Sequence, residues 1–295
     1  MPWDDRLDIE RSGDGAWVAQ GRVLSALMLI RPWYAGTSLL LAALVTTAAL
    51  GGILLPSMYA REAASWAAQG IGQDWVNLLV VAPAMAVLAV AVSRGSRGAR
   101  LLLGGALLYV AYSFLFYVFA VHFNRFFLVY CACLGLGFYG FQAVLLELWP
   151  EPVWNGFAVA APRRAAGTWL VALGTAFAAL WLSQVIPALR EGIDPEGSAE
   201  LGLLTNPVHV LDLSFLCPLM LATGTSALRR GRFGGVMAPI LLAFSVVQAL
   251  AVVGNAVSME RQGVGHAMPM AGAAGAVAVV SIGLLVRFLR GPRLR

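Results

Sequence analysis

The chain has 295 residues, 60% of them hydrophobic and only 12% charged, and a mean hydropathy of +0.78; a soluble domain carries roughly 25% charged residues. Its net charge of +5 rests on 20 basic residues, all arginine, which punctuate apolar runs instead of lining one face as in nucleic-acid binders. The lack of lysine excludes retinal or pyridoxal Schiff bases and the Walker A phosphate loop.

The N-terminus opens on Asp4, Asp5, Asp8, Glu10 and Asp14, unlike a signal peptide, which begins with positive charge. Residues 17–34 follow with Trp17, Val18, Leu24, Leu27, Met28 and Trp33 beside Arg22 and Arg31, the pattern of a helix lying in the membrane surface. Apolar runs of about 20 residues, enough to span a bilayer, then occur near 36–55, 75–93, 101–120, 126–147, 167–187, 209–228, 235–256 and 266–286. The expected fold is an all-α integral membrane bundle of about eight transmembrane helices. Its segments are a cytoplasmic N-terminal part at 1–34, a first four-helix repeat at 35–147, a cytoplasmic linker at 148–166, a second repeat at 167–286 and a tail at 287–295.

Arginine sets the orientation, because cytoplasmic loops carry the excess of positive charge. The N-terminal segment has Arg6, Arg11, Arg22 and Arg31. Successive loops then alternate: Arg61 alone, then Arg94, Arg97 and Arg100, then Arg125, then Arg163 with Arg164. Arg190 alone follows, then Arg229, Arg230 and Arg232, then Arg261, and finally a tail with Arg287, Arg290, Arg293 and Arg295. Both termini are expected in the cytoplasm; a composition rich in Ala, Gly and Arg without Lys suggests a GC-rich bacterium, and the expected location is the bacterial inner membrane.

A shift of 135 residues superposes the second span on the sixth, pairing Leu78 with Leu213, Pro83 with Pro218, Met85 with Met220, Arg94 with Arg229 and Arg97 with Arg232. A shift of 131 pairs Ala35-Gly36-Thr37 with Ala166-Gly167-Thr168. These matches point to two four-helix halves in parallel orientation, related by a pseudo-two-fold axis along the membrane normal. The third and fourth spans align poorly with the seventh and eighth.

Ionisable residues inside spans are costly and mark function by default. Asp74 and Asn77 open the second span, and His209 and Asp212 open the sixth, each pair on one helix face by its i, i+3 spacing. With Gln248 they form the candidate ligand-binding set, and Gln184 and Asn255 lie at similar depth. As first-turn residues, Asp74 and His209 would sit among headgroups at little cost, whereas Asp212 lies deeper. Glu191, Asp194, Glu196 and Glu200 against Arg190 form an acidic loop that concentrates cations.

His122, His209 and His266 all fall at outer helix ends and, with Asp212, are the candidate metal ligands. His266-x-Met268-x-Met270 would suit copper(I), and a pair of histidines would suit haem, but no HExxH, CxxC or CxxCH occurs. Turn chemistry around Asn124 is the alternative for His122. Glu147 is expected to reach the interface beside Trp149, and Pro83 and Pro218 to kink their helices and free a carbonyl each. Cys131, Cys133 and Cys217 fall inside apolar runs and read as packing residues.

The phrase Thr205-Asn206-Pro207-Val208-His209-Val210-Leu211-Asp212-Leu213, with Pro218 after it, resembles a segment of an uncharacterised family of bacterial polytopic membrane proteins. The stretch from Gln73-Asp74 to Tyr130, with the Arg-Gly-Ser-Arg turn at 94–97 and Asn124, is similar to that family as well. The resemblance covers about two-thirds of the chain and implies a fold, with no activity or cofactor attached.

Three functions are open on the sequence. The first is binding or transport of a small solute or cation through a polar site between the halves, near the extracytoplasmic face. The second is an intramembrane enzyme or redox protein that uses a metal or haem on the histidines. The third is an accessory subunit of a larger membrane assembly. The bilayer is a partner in all three, and nucleic acid in none.

Overall fold

A computed structural model describes residues 15–149, 162–195, 198 and 201–290, with side chains from Trp33 onward. Among these residues the chain is all helical, without strands. Helix α1 runs over Gly15–Leu54. It is followed by α2 (Ala64–Ser93), α3 (Arg97–Phe119), α4 (Phe127–Leu148), α5 (Pro162–Glu191), α6 (Pro207–Leu228), α7 (Arg232–Arg261) and α8 (Met268–Leu289). All eight are long and apolar enough to cross a membrane, α1 through its part Trp33–Leu54. The protein is a multi-pass membrane protein.

The helix boundaries follow local chemistry. Ser96 caps α3 by accepting a hydrogen bond from the Ala99 N–H, and Gly95 supplies the positive φ of the turn before it. Asn206 caps α6 in the same way through the Val208 N–H, with Pro207 in the first turn. The segment 17–34, expected on the membrane surface, is continuous with the first span in one helix; side chains up to Pro32 lie outside the described residues. Most of the 148–166 linker, Glu196, Glu200 and the tail beyond Arg290 also lie outside them.

Helix α2 corrects one expectation. It begins at Ala64, so Asp74 lies ten residues inside it, about 15 Å at ~1.5 Å per residue. Asp74 is therefore not a first-turn residue of its helix. The sequence ASWAAQGIGQD is too polar for a hydropathy window, but it is helical because its polar groups find partners within the protein.

Helices α3 and α7 form the centre: 72% and 67% of their apolar windows are buried, against 17% in α5 and 22% in α8. They cross at Gly105, where a Cβ would lie 2.5 Å from the Ala243 Cβ and 2.7 Å from the Ile240 carbonyl oxygen. Only glycine permits this approach, the usual way membrane helices pack closely. Outer helices turn Leu79, Val87, Leu189 and Val279 outward, as an apolar solvent allows.

Both α2 and α6 contain a π-helical turn, Asn77–Val81 in one and Asp212–Leu216 in the other, 135 residues apart. Pro83 and Pro218 follow directly. A proline lacks the N–H that an α-helix would use at that point, and the widened turn absorbs the mismatch. The same shift carries the end of α2 at Ser93 onto the end of α6 at Leu228, and the start of α3 at Arg97 onto that of α7 at Arg232.

At the Arg-rich end of the bundle, Glu147 does not reach the interface as expected. It is 3% exposed and pairs with Arg100 at 2.9 Å, while the Tyr34 hydroxyl also donates to it. This buried triad ties α1, α3 and α4 together.

Candidate functional site

Two buried carboxylates lie towards the Arg-poor end, one on α2 and one on α6. Asp74 is 1% exposed. The Tyr117 hydroxyl on α3 donates to its Oδ1 at 2.7 Å, and the Tyr59 hydroxyl, in the α1–α2 connection, donates to its Oδ2 at 2.6 Å. Burial, and then the adjacent Asp74 carboxylate, push the Tyr59 phenol well above its ordinary range, so it stays a donor. The carboxylate lies against the backbone of α1 at Gly52, where a Cβ would meet Oδ2 at 1.7 Å.

A chain of hydrogen bonds leads to Asp74. Gln73 donates to Tyr109 and, at 3.0 Å, to Ser113. Tyr109 donates to Asn77 at 3.2 Å, and Asn77 donates to Tyr117 at 3.4 Å. Along the run Gln73–Tyr109–Asn77–Tyr117 each donor points towards the carboxylate, so each bond polarises the next in favour of the anion.

Asp212 on α6 is 5% exposed and links α3 to α5. The Tyr112 hydroxyl on α3 donates to Oδ1 at 2.6 Å, and the Trp181 indole N–H on α5 donates to Oδ2 at 2.8 Å. His209, buried one turn earlier, places Nε2 3.1 Å from Gln184 Oε1 and its ring centroid 4.9 Å from that of Trp181. Around the carboxylate stand more aromatic rings, with Phe116 and Phe244 packed edge-on to Tyr112 and Phe177 stacked on Trp181. Neither Asp74 nor Asp212 has an ion-pair partner among the described residues.

A cleft of about 490 Å³ opens between the end of α3 and the segment that leads into α6. Leu115 and Phe119 of α3 and His122 form one wall; Leu203, Leu204, Thr205, Val210 and Leu211 form the other. The exposed Glu191 and Asp194 precede the loop that supplies this second wall.

The expected ligand set is thus divided. Asp74 and Asn77 share one cluster, and His209 and Asp212 share another. Gln248 is half-buried on α7 and makes no side-chain hydrogen bond among the described residues. The three histidines stay apart: His122 meets the Glu62 carboxylate through its backbone N–H and through Nδ1 at 3.0 Å, His209 meets Gln184, and His266 is exposed. Among the described residues no group of three or more His, Cys, Asp or Glu converges as a metal site would.

Sequence reading missed the donors Tyr59, Gln73, Tyr109, Tyr112, Ser113, Tyr117 and Trp181. One signal was present. Tyr109, Tyr112, Ser113, Phe116 and Tyr117 recur at helical spacing along the third span.

No known protein family, curated protein or solved structure matches the chain.

Proposed function

We propose that the protein binds a small solute or ion between two duplicated four-helix halves and carries it across the membrane. The observation that carries this reading is the pair of buried carboxylates, each near a π turn and each held by neutral donors alone. An ionised carboxylate without a countercharge is strongly disfavoured in an apolar medium. A chain that keeps two such groups inside its spans gains from them when a cation or a proton arrives. Pi-helical turns are frequent at such functional positions.

The duplication is supported by the coincident π turns and helix boundaries. It is supported again at the α3–α7 crossing, where Gly105 and Ile240, superposed by the same shift, touch. A two-fold axis along the membrane normal would pass through that contact, with the halves parallel. The arginine alternation supports both termini in the cytoplasm of a bacterial inner membrane, with the cleft on the outer face.

The test is ion flux in reconstituted vesicles under imposed proton and sodium gradients. Flux in the wild type that falls at least about tenfold in Asp74→Asn and Asp212→Asn, a loss of ~1.4 kcal/mol of stabilisation, supports the reading. A flux indifferent to both substitutions sinks it.

A further inference from the structure

Two helix starts at the Arg-rich end are built differently. Before α3, Gly95 supplies the positive φ of the turn, Ser96 caps the helix, and the buried Arg100 pairs with Glu147. At α7, which starts 135 residues further on, Arg230 holds φ 59 where α3 is preceded by glycine, and Gly231 stands at the cap without a side chain. A residue with a Cβ adopts that conformation at a cost. The α6–α7 turn thus keeps a charge where the α2–α3 turn keeps conformational ease.

Arg163, in the first turn of α5, is 5% exposed and aims its guanidinium at this helix start, where Nη2 donates to the Gly231 carbonyl oxygen. Its Nε and Nη1 meet no acceptor, and no carboxylate pairs with it among the described residues. Arg230 stands near it as a second cation. Of the first N–H groups of α7, that of Gly234 donates to Ser226, while those of Arg232 and Phe233 have no acceptor among the described residues.

A buried guanidinium with unsatisfied nitrogens is costly, and the helix start beside it adds partial positive charge. Glu147 meets the same need for Arg100 from within the chain; no described residue does so for Arg163. A carboxylate brings two oxygens in one plane, whereas a phosphate group brings a tetrahedral set that suits a guanidinium fork together with backbone N–H groups at a helix start. We propose that Arg163, Arg230 and the start of α7 bind a phosphate group, from an anionic phospholipid headgroup or from free phosphate. Basic pockets between spans on the cytoplasmic side hold headgroups in this way. Placement on that side rests on the orientation proposed above; the binding chemistry does not.

The experiment is thermal unfolding of the full-length protein in dodecyl maltoside, titrated with sodium phosphate and, separately, with dioleoylphosphatidylglycerol. Sodium chloride at matched ionic strength and dioleoylphosphatidylcholine are the comparators. The expected result is a saturable rise in Tm that neither comparator gives; a rise with phosphate names the free ion as the source, and a rise with the anionic lipid alone names the headgroup. Arg163→Gln raises the half-saturating concentration at least about tenfold, the scale of a charge-assisted hydrogen bond. Arg230→Gly keeps the test decisive if that variant does not fold. It relieves the backbone, so Tm without ligand holds or rises, yet half-saturation rises at least about threefold for the loss of one nearby charge. A role in folding alone would not separate these two effects. Arg190→Gln, at the opposite end of α5, changes half-saturation by less than about twofold. No rise with either phosphate source, an equal rise with the comparators, or half-saturation unchanged in Arg230→Gly overturns the proposal. Flux through the Asp74 and Asp212 variants is read separately, so the transport reading stands or falls apart from this site.

Discussion

Gly105→Ala should destabilise the bundle, although alanine is the better helix former. The new methyl carbon would sit 2.5 Å from the Ala243 Cβ, 2.7 Å from the Ile240 oxygen and 2.9 Å from the Phe244 nitrogen, while ordinary carbon contacts lie near ~3.5–4.0 Å. Two of the three obstacles are backbone atoms, so no side-chain rotation relieves them, and α3 and α7 must separate by about 1 Å. Overpacking of this kind costs roughly 1–3 kcal/mol. The gain in helix propensity returns at most about 1 kcal/mol, leaving a net loss of up to ~2 kcal/mol. Gly275→Ala supplies the control, because nothing lies within 4 Å of its Cβ position; there the propensity gain acts alone and the sign reverses. Equilibrium unfolding by SDS in mixed micelles, followed by circular dichroism, reads both. A Gly105→Ala variant as stable as wild type would show that the central helices do not meet at this glycine, and the packing argument would fail.

Tyr112→Phe removes one of two donors to the buried Asp212 and should cost about 1–3 kcal/mol in the same unfolding assay; a loss below roughly 0.5 kcal/mol would mean the bond does not form. In a double-mutant cycle, Arg100→Met and Glu147→Leu together should cost less than the sum of the single changes, because the two groups are buried and paired at 2.9 Å; additivity within about 0.5 kcal/mol would contradict the pairing. Tyr59 holds its proton in the folded state after the unfolded chain loses it near the ordinary value of 10.0. Stability should therefore decline as pH rises past that value, more steeply in wild type than in Tyr59→Phe, and parallel pH profiles would contradict the burial of this phenol.

The spans were legible because membrane helices advertise themselves by hydropathy, and the turns at Arg94–Arg97 and Arg229–Arg232 lie where the charges stood. Asp74 and Asp212 also stood out, since a carboxylate in an apolar run is conspicuous whatever its neighbours. Their donors were not, for a tyrosine in a span is as ordinary as a phenylalanine until the facing helix is known. Glu147 was misjudged for a related reason. Position at a span's end reports on depth, and only the tertiary contact with Arg100 shows that the group faces inward. The start of α2 at Ala64 was hidden because Gln69, Gln73 and Asp74 lower the local hydropathy, and a sliding average cannot see the partners that let them stay.

Helix α3 donates to both acidic centres: Tyr117 reaches Asp74, and Tyr112, little more than one turn away, reaches Asp212. Its crossing with α7 leaves no slack at Gly105. Such a helix behaves as an axle with a key cut on two sides, so it cannot turn towards one carboxylate without drawing away from the other. A change at either carboxylate that shifts this helix strains its bond to the other, and by the reciprocity of linked equilibria the two effects are equal in free energy.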